Sequence, residues 1–163
     1  MTVEDGSGLN QANAYISLVD ANAYFTEINI TEWTGSDEVK EASIIRASRY
    51  LDGYYRKRWI GSRMNADQGL SWPRLEAYDE DDFLVEGIPK ELKYATCEAA
   101  LLILKGEDLT PNLERGGKVL REKVSSIETE YAPGAPARNV YTIIDDFLSG
   151  LTHGHNSIKI VRG

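Results

Sequence analysis

Hydrophobic positions along the chain fall into four stretches of helical spacing, separated by segments where glycine, proline, asparagine and acidic residues break the period. Ser17 followed by Asp20 has the form of a capping box, with Asp in place of Glu or Gln, and opens a helix over about 18–28 packed through Val19, Ala23 and Tyr24. Ser36 suits the N-cap of a longer helix in which Ile44, Ala47, Leu51 and Tyr54 or Tyr55 share one face. Gly53 weakens its later part, and the period ends near Trp59–Gly61. Pro89 fits the first turn of a third helix over about 89–105. There Leu92, Ala95, Ala99 and Ile103 lie on one side and Tyr94, Cys97, Leu101 and Leu104 on others, which predicts a central helix covered by its neighbours. Val140 to Leu151 gives a short last helix with Val140, Ile143, Ile144, Phe147 and Leu151 on its apolar side.

Between these stretches the pattern is weaker. Residues 1–16 are rich in Gly and Asn and alternate loosely, as an extended arm would. Residues 61–88 form a long connection that includes the acidic run DEDD, and loops of that length are seldom idle. A strand is expected near 123–130, YAPGAPAR excludes regular structure, and HGHNSIKIVRG ends in a small alternating pattern. The reading is a mainly α protein: a small bundle of about four helices with long loops, an extended N-terminal arm and a minor β element. Residues 1–151 form the helical domain and 152–163 a C-terminal tail.

Composition narrows the function classes. A chain of 163 residues is long enough for one domain with a core of its own. The formal net charge of −8 argues against a polyanion-binding protein as a whole, while leaving room for a local basic stripe. Cys97 is the single cysteine, so no internal disulfide forms, and a reducing compartment fits. It reads as a small core residue rather than a reactive thiol. The N-terminus does not look like a signal peptide, and no apolar stretch approaches the roughly 20 residues that span a bilayer. No phosphate cradle or nucleophile elbow is present, and His153 and His155 lack further ligands nearby, so the expectation is no catalytic residue, no metal and no cofactor. YDEDDF at 78–83 has the acidity of a calcium loop without its register, and reads as a solvated loop.

The segment RASRYLDGYYRKRWIGSR, residues 46–63, carries six Arg or Lys against one Asp, interleaved with three tyrosines and a tryptophan. A cationic groove with stacking aromatics is how single strands are held without sequence preference. The plainer alternative divides these residues between helix faces, with Arg46 and Arg49 ion-paired to Asp52 inside the domain. Trp72 precedes Pro73, which pushes it toward extended backbone. It reads as a plug that pins a loop to the second and third helices rather than as a stacking platform. Arg46, Tyr50, Asp52, Trp72 and Arg74 are the candidate structural anchors.

Taken in order, Tyr15, DANAYF, RASRYLDGYY, LSWPR and IPKELKYATCEAAL make the chain resemble, from residue 1 to about 130, the head–tail adaptor proteins of tailed bacteriophages. Members of that family often carry the label "DnaT-like single-stranded DNA-binding protein". The acidic loop at 78–86 and the tail beyond 152 depart from the pattern. The resemblance implies a virion protein of the neck, assembled in the host cytoplasm, that forms a homo-oligomeric ring of about a dozen copies. Its implied partners are the portal protein and the next neck or tail protein, with double-stranded DNA only as passing cargo and no membrane. Under it Arg74 reaches an acidic partner, and Ile158, Lys159, Ile160, Val161 and Arg162 of the tail are the candidate portal contacts. The competing reading is a single-stranded DNA-binding protein of a phage replication or recombination system, which requires the 46–63 cluster to be exposed.

Overall fold

Ser17, Ser36 and Pro89 flank the starts of three helices. In the computed structural model, residues 1–110 and 141–153 are described with their side chains, and 121–124 and 127–130 by backbone alone. The elements are α1 (Leu18–Glu27), α2 (Asp37–Tyr55), β1 (Ser62–Arg63), β2 (Arg74–Leu75), α3 (Lys90–Leu104), β3 (Arg121–Val124), β4 (Ile127–Glu130) and α4 (Thr142–Leu148), which runs into a 3-10 turn at Ser149–Leu151. The protein is mainly α with a minor β element. Ser17 caps α1 in both directions: its Oγ accepts the Asp20 N–H (3.0 Å) and donates to the Asp20 carboxylate (2.7 Å).

Helix α3 packs between α2 and α4. It buries Leu92, Ala95, Thr96, Cys97, Ala99, Ala100, Leu101 and Ile103, which span about two-thirds of its circumference. Each buried Leu or Ile contributes about 1.5–3 kcal/mol, and the alanines let the flanking helices approach closely. Burial pushes the Cys97 thiol pKa up, away from thiolate chemistry.

Two helix faces differ from the periodic reading. On α1 the buried residues are Ala21 and Phe25, whereas Val19 is 75% exposed and Ala23 is exposed too. Apolar residues surround α1, so spacing alone selects no face. Trp33 does, by stacking on Phe25 (4.6 Å between ring centroids) and donating its indole N–H to Asn22 (2.8 Å). On α4 the buried residues are Ile144 and Leu148, followed by Leu151, while Ile143 is 46% exposed and Phe147 is half-buried against Tyr94. Val140 lies outside the described residues.

Helix α2 ends at Tyr55, short of Trp59–Gly61, in a turn where the Tyr55 carbonyl accepts the N–H groups of both Arg58 and Trp59. Trp59 pairs instead with Thr152, the Ile60 N–H bonds Leu151, and the His153 N–H bonds Arg58 (2.6 Å). The 61–88 connection is folded on its own chain. Antiparallel β1 and β2 pair Ser62 with Leu75 and Arg63 with Arg74, and Tyr78 bridges Leu84. The strand expected near 123–130 is a hairpin, β3–β4, with Val124 opposite Ile127. YAPGAPAR lies outside the described residues.

The N-terminal arm is held against this connection. The Thr2 carbonyl accepts the N–H groups of Asn13 and Ala14, and the buried Glu4 carboxylate collects those of Gly6, Gly8 and Leu9. Gly69 donates to Leu9 (2.9 Å), and a side chain at Gly69 would run into the Asn10 and Ala12 carbonyls. Only glycine allows that approach.

Candidate nucleic-acid interface

Positions 46, 49, 53 and 56 are spaced by three, four and three residues, which puts them in one row along the outer face of α2. Arg46, Arg49, Gly53 and Arg56 in that row are all exposed. Arg46 and Arg49 line a cleft of about 280 Å³ with Tyr50, Asp108 and Thr110. Further along the row, Gly53 and Arg56 open onto a second cleft of about 280 Å³, whose other walls are Arg63, Ser71 and Arg74 with Asp52. Arg46 and Arg49 form no ion pair or hydrogen bond among the described residues, so the pairing with Asp52 expected for them is not made.

Asp52 is committed elsewhere. Its carboxylate accepts the Tyr15 hydroxyl on one oxygen and the Ser71 N–H (2.9 Å) on the other. The Tyr15 oxygen in turn accepts the N–H groups of Ser71 (3.2 Å) and Trp72 (3.4 Å). Burial raises the Asp52 pKa, and it raises that of Tyr15 further, with the Asp52 charge adding to the effect. This lock fixes the QGLSWPR loop, whose Trp72–Pro73 peptide bond is cis, against α2. Arg74 completes it by donating to the carbonyls of Ile60, Gly61 (2.9 Å) and Ser71 (3.1 Å). Its guanidinium is thus engaged within its own chain rather than by an acidic partner, and burial lowers its pKa.

The aromatic residues of the run belong to the interior. Tyr50 is 8%, Tyr55 1% and Trp59 4% exposed, and Trp72 is fully buried. They form a ladder in which Tyr50 stacks on Tyr54, Tyr55 leans on Trp59, and Trp59 meets Trp72 edge to face at 6.1 Å. Trp72 meets Trp59 through its ring and donates its backbone N–H to the Tyr15 hydroxyl. Tyr54 alone of the run's aromatics is half-exposed. Arg58 is drawn inward as well: it lies over the Tyr55 ring (4.9 Å) and 3.9 Å from Asp145. The basic residues left on the surface are Arg46, Arg49, Arg56, Lys57 and Arg63.

The Asp79 carboxylate accepts the N–H groups of Asp81 (3.0 Å) and Phe83 (2.8 Å), which shapes the acidic loop. Among the described residues no group of three His, Cys, Asp or Glu side chains could hold a metal ion, and no helix is long and apolar enough to cross a membrane. His153 is exposed; His155 and the tail residues Ile158, Lys159, Ile160, Val161 and Arg162 lie outside the described residues. Sequence reasoning gave Gly53 no role beyond weakening a helix and did not foresee Ser71 at the cleft. The spacing 46–49–53–56 was the available signal.

Searches of curated proteins and of solved structures return no match to the chain. A family model does match, over residues 1–163, and its description is "Putative DnaT-like ssDNA binding protein". That description corrects the head–tail adaptor expectation: it points to single-stranded DNA as the family's ligand, in place of a portal and a tail component with duplex as passing cargo. With the adaptor reading fall the connector ring and the tail's portal contacts. The order of motifs that suggested the adaptor is order within one family, and carries no information on the partner. Matched over the whole of its 163 residues, the chain belongs to the family described as "Putative DnaT-like ssDNA binding protein".

Proposed function

We propose that this protein binds single-stranded DNA along the outer face of α2, chiefly through the phosphate backbone, and acts by binding alone without turnover. The observation that carries this reading is the exposed row Arg46, Arg49 and Arg56, joined by Arg63 across the second cleft. From Arg46 to Arg56 the helix rises about 15 Å, the span of roughly four nucleotides of a stacked strand. The net charge of −8 does not forbid this. At physiological salt, fields fade over about 8 Å, so a strand on α2 responds to the arginines beside it.

Because the run's aromatic residues are mostly interior, base stacking is a minor contribution, and binding is indifferent to sequence and strongly dependent on salt. Fluorescence anisotropy of a labelled oligothymidylate over a salt series tests it. With about four phosphates engaged, log K should fall against log salt with a slope of about −2 to −3. Replacing Arg46 and Arg49 together by Gln should weaken binding to all sequences alike and flatten the slope by about 1.4. Binding that ignores salt, or that survives the double substitution unchanged, would overturn the reading.

A further inference from the structure

The two clefts along α2 differ in charge and in how firmly their walls are held. The first sets Arg46 and Arg49 against Asp108, a balance of one positive charge. The second sets Arg56, Arg63 and Arg74 against Asp52, a balance of two. Asp52 is bound within the chain, by the Tyr15 hydroxyl and the Ser71 N–H, which limits its repulsion of an anion. Arg74 is immobilised by its bonds to Ile60, Gly61 and Ser71. Those bonds use three of a guanidinium's five N–H groups, leaving two for a ligand.

Gly53 stands at the mouth of this cleft. A Cβ there would meet nothing within 4 Å, so packing does not require glycine. Glycine inside a helix is destabilising relative to alanine, yet it sits where a side chain would stand in the opening. An unobstructed mouth, a rigid arginine and two exposed ones make a receptor for one compact, doubly charged anion.

We propose that the second cleft receives the terminal phosphomonoester of a nucleic-acid strand, while the first holds a bridging phosphodiester. This rests on the single-strand reading above. A monoester carries about −1.5 to −2 at neutral pH, which matches the second cleft. A diester carries one negative charge and matches the first. The protein then recognises strand ends as well as strands.

The test uses the whole protein and three short oligothymidylates with the same internal fluorophore: one with a 5′-phosphate, one with a 3′-phosphate and one with hydroxyls at both ends. One phosphorylated strand should bind about tenfold tighter than the hydroxyl strand, equivalent to about 1.4 kcal/mol. Which end is preferred identifies the source of the monoester. Inorganic phosphate at millimolar concentration should erase the difference. Arg63→Gln and Gly53→Glu, both at exposed positions, should bring the three strands to one affinity, with thermal melts confirming the fold. If all three strands bind the parent protein equally and with salt dependence, end recognition is wrong and the single-strand reading stands. If no strand binds, that reading falls, and the pocket is judged by phosphate alone. A melting temperature raised by phosphate and insensitive to it in Arg63→Gln supports the pocket; no rise overturns it.

Discussion

Tyr15→Phe removes one oxygen and tests the lock that holds the second cleft. That oxygen donates to the Asp52 carboxylate and accepts the N–H groups of Ser71 and Trp72. The ring stays, so no cavity forms. Ser71 keeps its second partner, the other Asp52 oxygen at 2.9 Å. The Trp72 N–H, beside a fully buried indole, loses its partner, and one carboxylate oxygen is left without the phenol. A stranded buried donor costs about 1–3 kcal/mol and the carboxylate, which keeps the Ser71 N–H, about 1 kcal/mol, so a total of about 2–4 kcal/mol is expected. For a chain of this length that lowers Tm by about 5–15 °C. Urea denaturation followed by tryptophan fluorescence gives the free energy directly. A double-mutant cycle with Asp52→Asn isolates the pair and should return a coupling above about 1 kcal/mol. A loss below about 0.5 kcal/mol, or no coupling, would refute the lock. The Ser71–Arg74 wall would then owe its position to the carbonyl bonds of Arg74.

Trp72→Ala should cost about 3–5 kcal/mol in urea denaturation, as core aromatic truncations do, and a variant as stable as the parent would remove Trp72 from the core. The Trp72 indole nitrogen has no hydrogen-bond partner among the described residues, so Trp72→Phe should lose much less. Gly53→Ala should gain about 0.5–1 kcal/mol by the same measurement, and a loss would show that the position needs glycine for the backbone. The raised Asp52 pKa sets a sign with pH. The folded protein holds this proton more tightly than the unfolded chain, so the group's contribution to stability falls as pH rises through its folded pKa. The parent should therefore gain on Asp52→Asn in Tm as pH falls from neutral to below the ordinary Asp value of 3.8; a flat or reversed difference over that whole range would contradict the buried carboxylate.

Helix starts were legible because Ser17 and Pro89 act within a few residues of chain, and α3 because apolar residues on every side of a helix have one resolution, enclosure. The face of α1 was not legible, since Trp33 selects it from beyond the next turn. The same holds for the basic run. Its composition is symmetrical between a nucleic-acid surface and an ion-paired core, and only helical phase separates Arg46, Arg49 and Arg56 from Tyr50, Tyr55 and Trp59. The second cleft needs Tyr15, Asp52 and Ser71 brought together from three segments, and no local spacing announces that. Net charge misled because it averages over the whole chain, whereas Arg46, Arg49, Arg56 and Arg63 gather at two clefts.

That concentration bears on how copies would share a strand. Once a strand neutralises the arginine row, the outward faces of each bound molecule are the acidic remainder of a chain that is already at −8. Neighbouring copies then repel one another at low ionic strength, where fields reach about 30 Å, and sit apart. Added salt loosens each copy's grip while letting copies crowd closer, so affinity and saturation density should move in opposite directions. Such a protein would mark a strand at intervals rather than coat it, leaving bare nucleotides between molecules for other machinery to reach.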